Sequence, residues 1–160
     1  MNKVAYSLKE TMLTSRPATM ADFDFLYALH KAAMKESVAR MWGWDEAWQQ
    51  NYFREKFDPS KREIFQWKGE DVGTLSVIET EDELYLGLIA FLPQYQGRSW
   101  GTAVLQQLIH QAERASKIFT LHVLKTNPEA QKLYERLGLQ IVAEEEFKYK
   151  MQFASQPTPD

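Results

Sequence analysis

Residues 84–101, LYLGLIAFLPQYQGRSWG, constrain the fold more than any other part of this sequence. Residues 84–92 are almost wholly apolar, which predicts a strand that is covered on both faces. Pro93 has no amide donor and ends that strand. From Trp100 onward, apolar residues recur at helical spacing: Val104, Leu105, Leu108, Ile109 and Ala112. The sequence therefore predicts a buried strand, a short loop and an amphipathic helix.

The loop 96–101 lies at the start of that helix. The first amide hydrogens of a helix lack partners and the helix dipole is positive there, so such a site attracts phosphate or pyrophosphate. A plain packing turn would explain Gly97 and Gly101 equally well. Two better-known phosphate loops are excluded, because neither G-x-x-x-x-G-K-[ST] nor G-x-G-x-x-G occurs in the sequence.

This stretch resembles motif A of the GCN5-related N-acetyltransferases (GNAT), whose pattern is [Q/R]-x-x-G-x-[G/A]. Gln96, Ser99 and Gly101 fall on its three defined positions, and residues 89–91 fall on the strand segment that binds pantetheine in that family. The departure is Ser99, because the family usually has Gly there. The serine side chain could crowd a pyrophosphate, or its hydroxyl could donate to a phosphate oxygen.

A second segment, residues 121–139, resembles motif B of the same family, roughly N-x-x-A-x-x-x-Y-[E/K]-x-x-G-[F/L]. The matching residues are Asn127, Ala130, Tyr134, Glu135, Gly138 and Leu139. A predicted helix and strand separate the two motifs. The resemblance covers residues 84–140 closely and residues 16–19 more loosely.

The resemblance implies an α/β fold. The GNAT fold has a mixed, mainly antiparallel twisted sheet of six to seven strands, about four flanking helices and two central strands that splay apart. It also implies acetyl-CoA as the acetyl donor. The cofactor-binding residues would be Ile89, Ala90, Phe91, Gln96, Gly97, Arg98, Ser99, Trp100, Gly101 and Asn127. The Phe91 amide would stabilise the developing oxyanion.

Two residues are the candidate catalytic groups. Tyr134 falls on the position of the family's general acid, and a phenol stays protonated at neutral pH and can protonate a leaving thiolate. His122 lies where ribosomal-protein N-terminal acetyltransferases of this family carry a glutamate base. Imidazole is suited to removing a proton from an ammonium group, but a satisfied strand histidine is an equal alternative. Glu79, Glu83 or an ordered water could also serve as the base.

Composition narrows the class of protein. At 160 residues, with 44% hydrophobic residues, the chain suits one domain, which we expect over residues 1–153 with a flexible tail at 154–160. The net charge of −3 and the lack of a dense Lys/Arg block argue against nucleic acid as a partner.

We expect no membrane partner and a cytoplasmic location, because no membrane-spanning run or signal peptide is evident. Without cysteines we predict no disulfide and no metal site. A monomer or a homodimer is expected.

The remaining elements follow from periodicity and capping signals. We expect a loose lead-in over residues 1–11, an edge strand near 13–16 and a helix near 20–35. Further strands are predicted near 62–67, 72–79, 118–124, 139–143 and 147–153. Asn127-Pro128 predicts a helix start.

Three tryptophans fall within seven residues, at positions 42, 44 and 48. Asp45 can cap a helix, and Trp42 and Trp44 lie before that cap in a glycine-containing loop. They could fill the core. Alternatively, they wall the acceptor pocket as substrate-binding residues, where Asp45 and Glu46 would suit a cationic amine.

The sequence thus favours an acyl-CoA-dependent N-acetyltransferase that acts on the primary amine of a small molecule by direct attack. One alternative is the same chemistry on a protein N-terminus or lysine. Another, from a different class, is a non-catalytic acyl-CoA-binding module.

Overall fold

The structure of the protein is a computed structural model that describes residues 5–8 and 11–154. The strands are β1 (Ala5–Leu8), β2 (Thr11–Pro17), β3 (Glu63–Trp67), β4 (Glu70–Glu79), β5 (Glu83–Phe91), β6 (Ile118–Leu124), β7 (Leu139–Glu144) and β8 (Lys148–Phe153). The helices are α1 (Phe23–Trp42), α2 (Glu46–Lys56), α3 (Trp100–Arg114) and α4 (Pro128–Arg136). No helix in the described ranges is long and apolar enough to cross a bilayer.

The strands form a single sheet in the order β1-β2-β3-β4-β5-β6-β8-β7. Among the strands that the structure describes, only β5 and β6 run parallel, and every other neighbouring pair is antiparallel. β5 pairs with β6 only through residues 83–86, so the second half of β5 has no β6 partner. The mixed, mainly antiparallel GNAT sheet with splayed central strands is therefore confirmed.

The N-terminal part of the chain differs from the expectation. Residues 5–8, expected to be part of a loose lead-in, form β1, which pairs with β2. β2 is therefore an inner strand, and the described part of the chain forms eight strands where six to seven were expected. A four-residue strand is too short to carry a period-two signal, so the sequence did not reveal it. Residues 1–4, 9–10 and 155–160, including nearly all of the expected tail, lie outside the described residues.

The two faces of the sheet carry separate hydrophobic cores. The larger core joins the sheet to α3 and α4, with Leu105 and Leu108 of α3 packing near Leu84 and Leu121. The smaller core joins the other face to α1 and α2, through Leu26, Leu29 and Phe53 against Ile64 and Ala90. Helices therefore cover both faces, and side chains that alternate along β5 and β6 reach one core or the other.

A bulge at Gly87 resets this alternation in the middle of β5. Opposite β4, Leu86 pairs with Val77 and Leu88 pairs with Ser76, so Gly87 has no counterpart. Leu86 on one side of the bulge and Ile89 on the other both face the larger core. The bulge lies where β5 and β6 separate, and therefore marks the start of the opening between them.

Candidate active site

The opening between β5 and β6 is the main irregularity of the sheet, and the backbone of β5 turns polar groups toward it. The Leu92 amide donates to the Val72 carbonyl at 2.9 Å, so residues 72 and 92 form a hydrogen-bonded pair. Bonded and non-bonded pairs alternate in an antiparallel ladder. Ile89 and Phe91 therefore direct their amides and carbonyls away from β4, toward the side where β6 has ended.

The loop after β5 leads directly into α3, as the sequence predicted. The first helical hydrogen bond runs from the Ala103 amide to the Ser99 carbonyl at 3.1 Å. The amides of residues 100–102 precede it and have no carbonyl four residues earlier in the helix. An anion beside this turn would meet those amides and the positive end of the helix dipole.

Ser99 adopts a left-handed backbone conformation at the N-cap of α3, with φ 64° and ψ 16°. A side chain in this region clashes with the backbone, so the position favours glycine. This explains why a glycine at the same motif position would be better accommodated. Gly97 is also left-handed, with φ 75°. The loop shape thus requires two such residues, and this chain uses one glycine and one serine.

Other loop residues hold the turn against the sheet. The Gln96 side chain donates to the Phe91 carbonyl at 3.0 Å, which ties the loop to the end of β5. The Trp100 side chain is buried in the larger core, so only its backbone can face an anion. The Arg98 guanidinium lies 5.4–5.5 Å from the ring centres of Trp67, Tyr95 and Trp100. This exposed cation is thereby held next to the turn.

His122 lies on β6, on the sheet face that α1 covers, and both its ring nitrogens have partners. Nδ1 is 2.8 Å from the Tyr85 hydroxyl, and Nε2 is 2.8 Å from Glu145 Oε2. Burial, followed by the charges of Glu83 and Glu145, raises the pKa of Tyr85. Sequence reasoning missed Tyr85 and Glu145, because only the β5–β6 register and the β7–β8 turn bring them to His122.

Tyr134 lies on α4, on the opposite side of the sheet, and packs against the larger core. Burial raises its pKa, so the phenol keeps its proton. Asn127 caps the same helix, because its side-chain oxygen accepts from the Ala130 amide at 3.3 Å. The Asn127 side chain is therefore engaged as a cap, and its amide and carbonyl also have backbone partners, the Leu124 carbonyl and the Gln131 amide.

The C-terminal half of α1 contacts the loop between β6 and α4. Thr126 donates its hydroxyl to the Ser37 carbonyl at 2.8 Å, and Arg40 donates to the Thr126 carbonyl at 3.2 Å. The Trp42 ring packs on Phe147 at 4.6 Å between centres. Helix α1 therefore joins the two sides of the splayed sheet.

A cleft of about 920 Å³ lies between α1 and α2 and is lined mainly by aromatic side chains. Trp42 and Trp44 both line it, and neither belongs to the cores. Trp42 occupies the last residue of α1, and only Trp44 is in the loop. The expectation that both lie in a loop was wrong for Trp42, since α1 runs seven residues beyond the predicted end.

The two acids beside these tryptophans already have partners. The Asp45 side chain accepts from the Trp48 amide at 2.9 Å and caps α2, as predicted. Glu46 accepts from Trp44 Nε1 at 2.8 Å and from the Tyr27 hydroxyl at 2.9 Å. It also pairs with Lys31 at 3.0 Å. The Trp44 and Lys31 hydrogen bonds are the largest causes that lower the pKa of Glu46 to about 2. The expected role of these carboxylates as receptors for a cationic amine is therefore not supported.

Glu79 and Glu83, the weaker candidates for a base, also have partners elsewhere. Glu79 pairs with Lys117 at 2.7 Å. Glu83 accepts from the Thr120 hydroxyl and lies 3.7 Å from Lys150 Nζ. Both acids tie β4 or β5 to neighbouring elements.

A sheet that splays between a bulged strand and its parallel neighbour, followed by a turn at a helix start, is the architecture of N-acetyltransferases. The chain belongs to the acetyltransferase (GNAT) family, whose model matches residues 23–139. Among curated protein sequences, none matches this chain significantly.

Solved structures show the same fold at low sequence identity. The PaiA N-acetyltransferase of Thermoplasma acidophilum, in complex with coenzyme A, is 15% identical over 89% of this chain and 99% of its own, with a TM-score of 0.69. Ard1 from Thermoplasma volcanium is 18% identical over 88% and 95%, with a TM-score of 0.60. Arabidopsis thaliana Naa50, in complex with the bisubstrate analogue CoA-Ac-MVNAL, is 14% identical over 89% and 99%, also with a TM-score of 0.60.

Proposed function

We propose that this protein transfers the acetyl group of acetyl-CoA to the primary amine of a small molecule by direct attack. The observation that carries the proposal is the opening between β5 and β6, which receives the polar backbone groups of Ile89 and Phe91. It lies directly before the anion-attracting start of α3. Family membership and the coenzyme A complexes of structural relatives support the same donor.

The donor's two polar parts have matching groups on this chain. The pyrophosphate would lie against the amides of the turn at residues 97–101, with Arg98 as a nearby cation. The pantetheine amides would extend the β5 edge through Ile89 and Phe91, as an added strand does. The Phe91 amide would then stabilise the oxyanion, a contribution of about 2.7–4 kcal/mol for one such donor.

Tyr85, His122 and Glu145 form a proton-accepting chain. A carboxylate can only accept hydrogen bonds, so His122 Nε2 carries the hydrogen that is donated to Glu145. In the neutral ring, Nδ1 then has no hydrogen and accepts a hydrogen bond from the Tyr85 hydroxyl. A substrate ammonium would donate a proton to the Tyr85 oxygen while the tyrosine's own proton passes to Nδ1. This leaves the amine lone pair free to attack the thioester carbon.

Tyr134 completes the reaction from the other side of the sheet. When the amine nitrogen bonds to the carbonyl carbon and the carbon–sulfur bond breaks, the sulfur leaves as a thiolate. Tyr134 would donate its proton to that sulfur, and its raised pKa keeps it protonated until then. The base and the acid thus approach the opening from opposite faces.

The cleft between α1 and α2 is the proposed acceptor site. Its volume of about 920 Å³ and its aromatic lining fit a small-molecule pocket. It lies on the same sheet face as Tyr85 and His122. Trp42 and Trp44 would contact the apolar body of the acceptor.

A protein N-terminus or lysine is the second candidate acceptor. The position of His122 favours it, since the resemblance places the base of ribosomal-protein N-terminal acetyltransferases there. The Naa50 relative was solved with a peptide-bearing analogue. A peptide would lie across the mouth of the cleft and leave most of its depth unused.

The test is a thiol-release assay with acetyl-CoA and paired acceptors. Small aromatic and aliphatic amines are compared with peptides that carry a free N-terminus or a lysine, and each acceptor is run beside its N-acetylated form. We expect thiol release from small free amines, with an equal amount of acetylated product by mass spectrometry. Preferential acetylation of peptides would favour the second candidate. Binding of acetyl-CoA without turnover of any amine would contradict catalysis and leave a binding module.

A further inference from the structure

The base of the cleft between α1 and α2 contains a half-buried cation, Arg62. Arg62 precedes β3, and strand alternation places it on the same face as Ile64. Its guanidinium carbon is 5.3 Å from the centre of the Phe53 ring. The Arg62 Nη1 atom is buried, and no group in residues 5–8 and 11–154 accepts a hydrogen bond from it. Burial also lowers the pKa of Arg62.

Two polar side chains, Gln49 and His30, line the same cleft as Arg62. Gln49 is 9% exposed and hydrogen-bonds His30. Burial and the charge of Arg62 lower the pKa of His30, so this ring is neutral at pH 7 and adds no second charge. Lys56 is the other cation that lines the cleft, at its exposed rim.

Among residues 5–8 and 11–154, no carboxylate of the cleft is free to neutralise Arg62. Asp45 lines the cleft, but its side chain caps α2. Glu46 does not line the cleft and is held by Trp44, Tyr27 and Lys31. Glu63 follows Arg62, but strand alternation sends it to the opposite face, where it accepts from Ser15 at 3.4 Å. The cleft therefore has a positive base beneath aromatic walls.

We propose that the base of this cleft is a carboxylate-binding subsite, with Arg62 as the cation and Gln49 as a further donor. The aromatic walls, which include Trp44 and Phe53, would hold the apolar body of the same molecule. Arginine suits this role because its planar fork matches the two oxygens of a carboxylate. If the ligand of this subsite is the acetyl acceptor, the inference rests on the proposed function. The acceptor would then be an amine that also carries a carboxylate, such as an aromatic amino acid.

If Arg62 served only to stabilise the fold, its replacement should destabilise the protein, whereas a binding role predicts no loss of stability. A partly buried charge with an unpaired donor, as at Arg62 Nη1, destabilises the folded state. Arg62→Met keeps an unbranched side chain that can still pack beside Phe53, but removes the guanidinium and its charge. We expect the melting temperature of Arg62→Met to equal or exceed that of the wild type. A pronounced fall would mean that the guanidinium is needed for folding, and would count against a binding role.

The binding test uses phenylacetate and its neutral isostere phenylacetamide, titrated into 15N-labelled protein without acetyl-CoA. The Arg62 Nε–H and Gln49 side-chain amide signals are followed by NMR. We expect phenylacetate to shift both signals saturably and to bind at least about tenfold more tightly than phenylacetamide. Arg62→Met should lose this difference. Lys56→Met, which removes one positive charge from the rim of the same cleft, should keep it.

Equal binding of acid and amide, or no saturable shift with phenylacetate, would overturn the proposal. The acid–amide comparison on the wild type holds even if Arg62→Met does not fold. Because the titration needs no acetyl transfer, its failure is distinct from failure of the proposed function. A kinetic comparison then links the two: phenylalanine should have a higher kcat/KM than phenylalaninamide, and Arg62→Met should abolish the preference.

Discussion

Single residues in this chain are placed by backbone geometry as much as by side-chain chemistry. Ser99 fits the motif by sequence, but its left-handed conformation explains why serine is an unusual choice there. Its hydroxyl makes no capping hydrogen bond in the described structure. The residue therefore strains the turn and leaves a donor at the site where a phosphate would lie.

Replacing Ser99 with glycine should stabilise the protein. Relief of the left-handed strain is expected to raise the free energy of unfolding by about 1 kcal/mol, or the melting temperature by about 2–4 °C. Ser116→Gly, at φ 57° beyond α3, is the matched control and should show a similar gain. Only Ser99→Gly should change acetyl-CoA affinity, and we expect weaker binding because the hydroxyl donates to a phosphate. A loss of stability in Ser99→Gly would contradict the strain argument.

Between elements, a charged cluster fixes the entry of α1 onto the sheet. Arg16 of β2 donates to both oxygens of Asp22 at 2.9 Å, and to Asp71 of β4 at 3.0 Å. Asp22 also accepts from the Thr19 amide at 2.8 Å, closing the turn that leads into the helix. Arg16 is the largest cause that lowers the pKa of Asp22 to about 2.

This pairing predicts a specific loss of stability in acid. A carboxyl group whose pKa is lowered on folding stabilises the protein above its unfolded pKa, near 3.8, and loses that contribution as pH falls through about 2. The shift corresponds to about 2 kcal/mol. Urea unfolding of Asp22→Asn should therefore show a flatter pH dependence than the wild type between those values. Asp24→Asn, two residues further on, is the control and should follow the wild type; identical slopes for all three proteins would refute the assignment.

The sequence predicted those features whose signals lie within a few neighbouring residues, and missed those that depend on residues far apart in the chain. The strand–loop–helix at residues 84–101 and the cap at Asn127 were predicted, because periodicity, proline and capping act within a few residues. The partners of His122 were not, because Tyr85 and Glu145 lie 37 and 23 positions away and meet it only through strand register. Arg62 gave no signal, since a buried donor without an acceptor, such as Arg62 Nη1, is recognised only once its surroundings are known.

At the scale of the whole molecule, binding of acetyl-CoA should be measurable as an increase in the thermal stability of the protein. A ligand that binds only the folded state at a hundred times its dissociation constant adds about 2.7 kcal/mol. For a chain of this length, acetyl-CoA should then raise the melting temperature by about 5–10 °C. Gly101→Glu should lose the shift, because it places a negative charge at the start of α3.

Gly101→Ala separates charge from bulk in that experiment. A Cβ at position 101 would lie 3.9 Å from its nearest neighbour, Phe91, so the alanine fits without displacement. Gly101→Ala should retain most of the thermal shift. A full shift in the folded Gly101→Glu variant would place the cofactor elsewhere.

The most direct test of the account is the turnover of Tyr134→Phe with a saturating amine. Phenylalanine keeps the packing of the ring on α4 but cannot supply a proton, so kcat should fall by about 10²–10⁴. Acetyl-CoA affinity, measured by calorimetry on the same preparation, should be unchanged. A variant that binds acetyl-CoA normally and releases thiol as fast as the wild type would contradict the role of Tyr134 as the general acid.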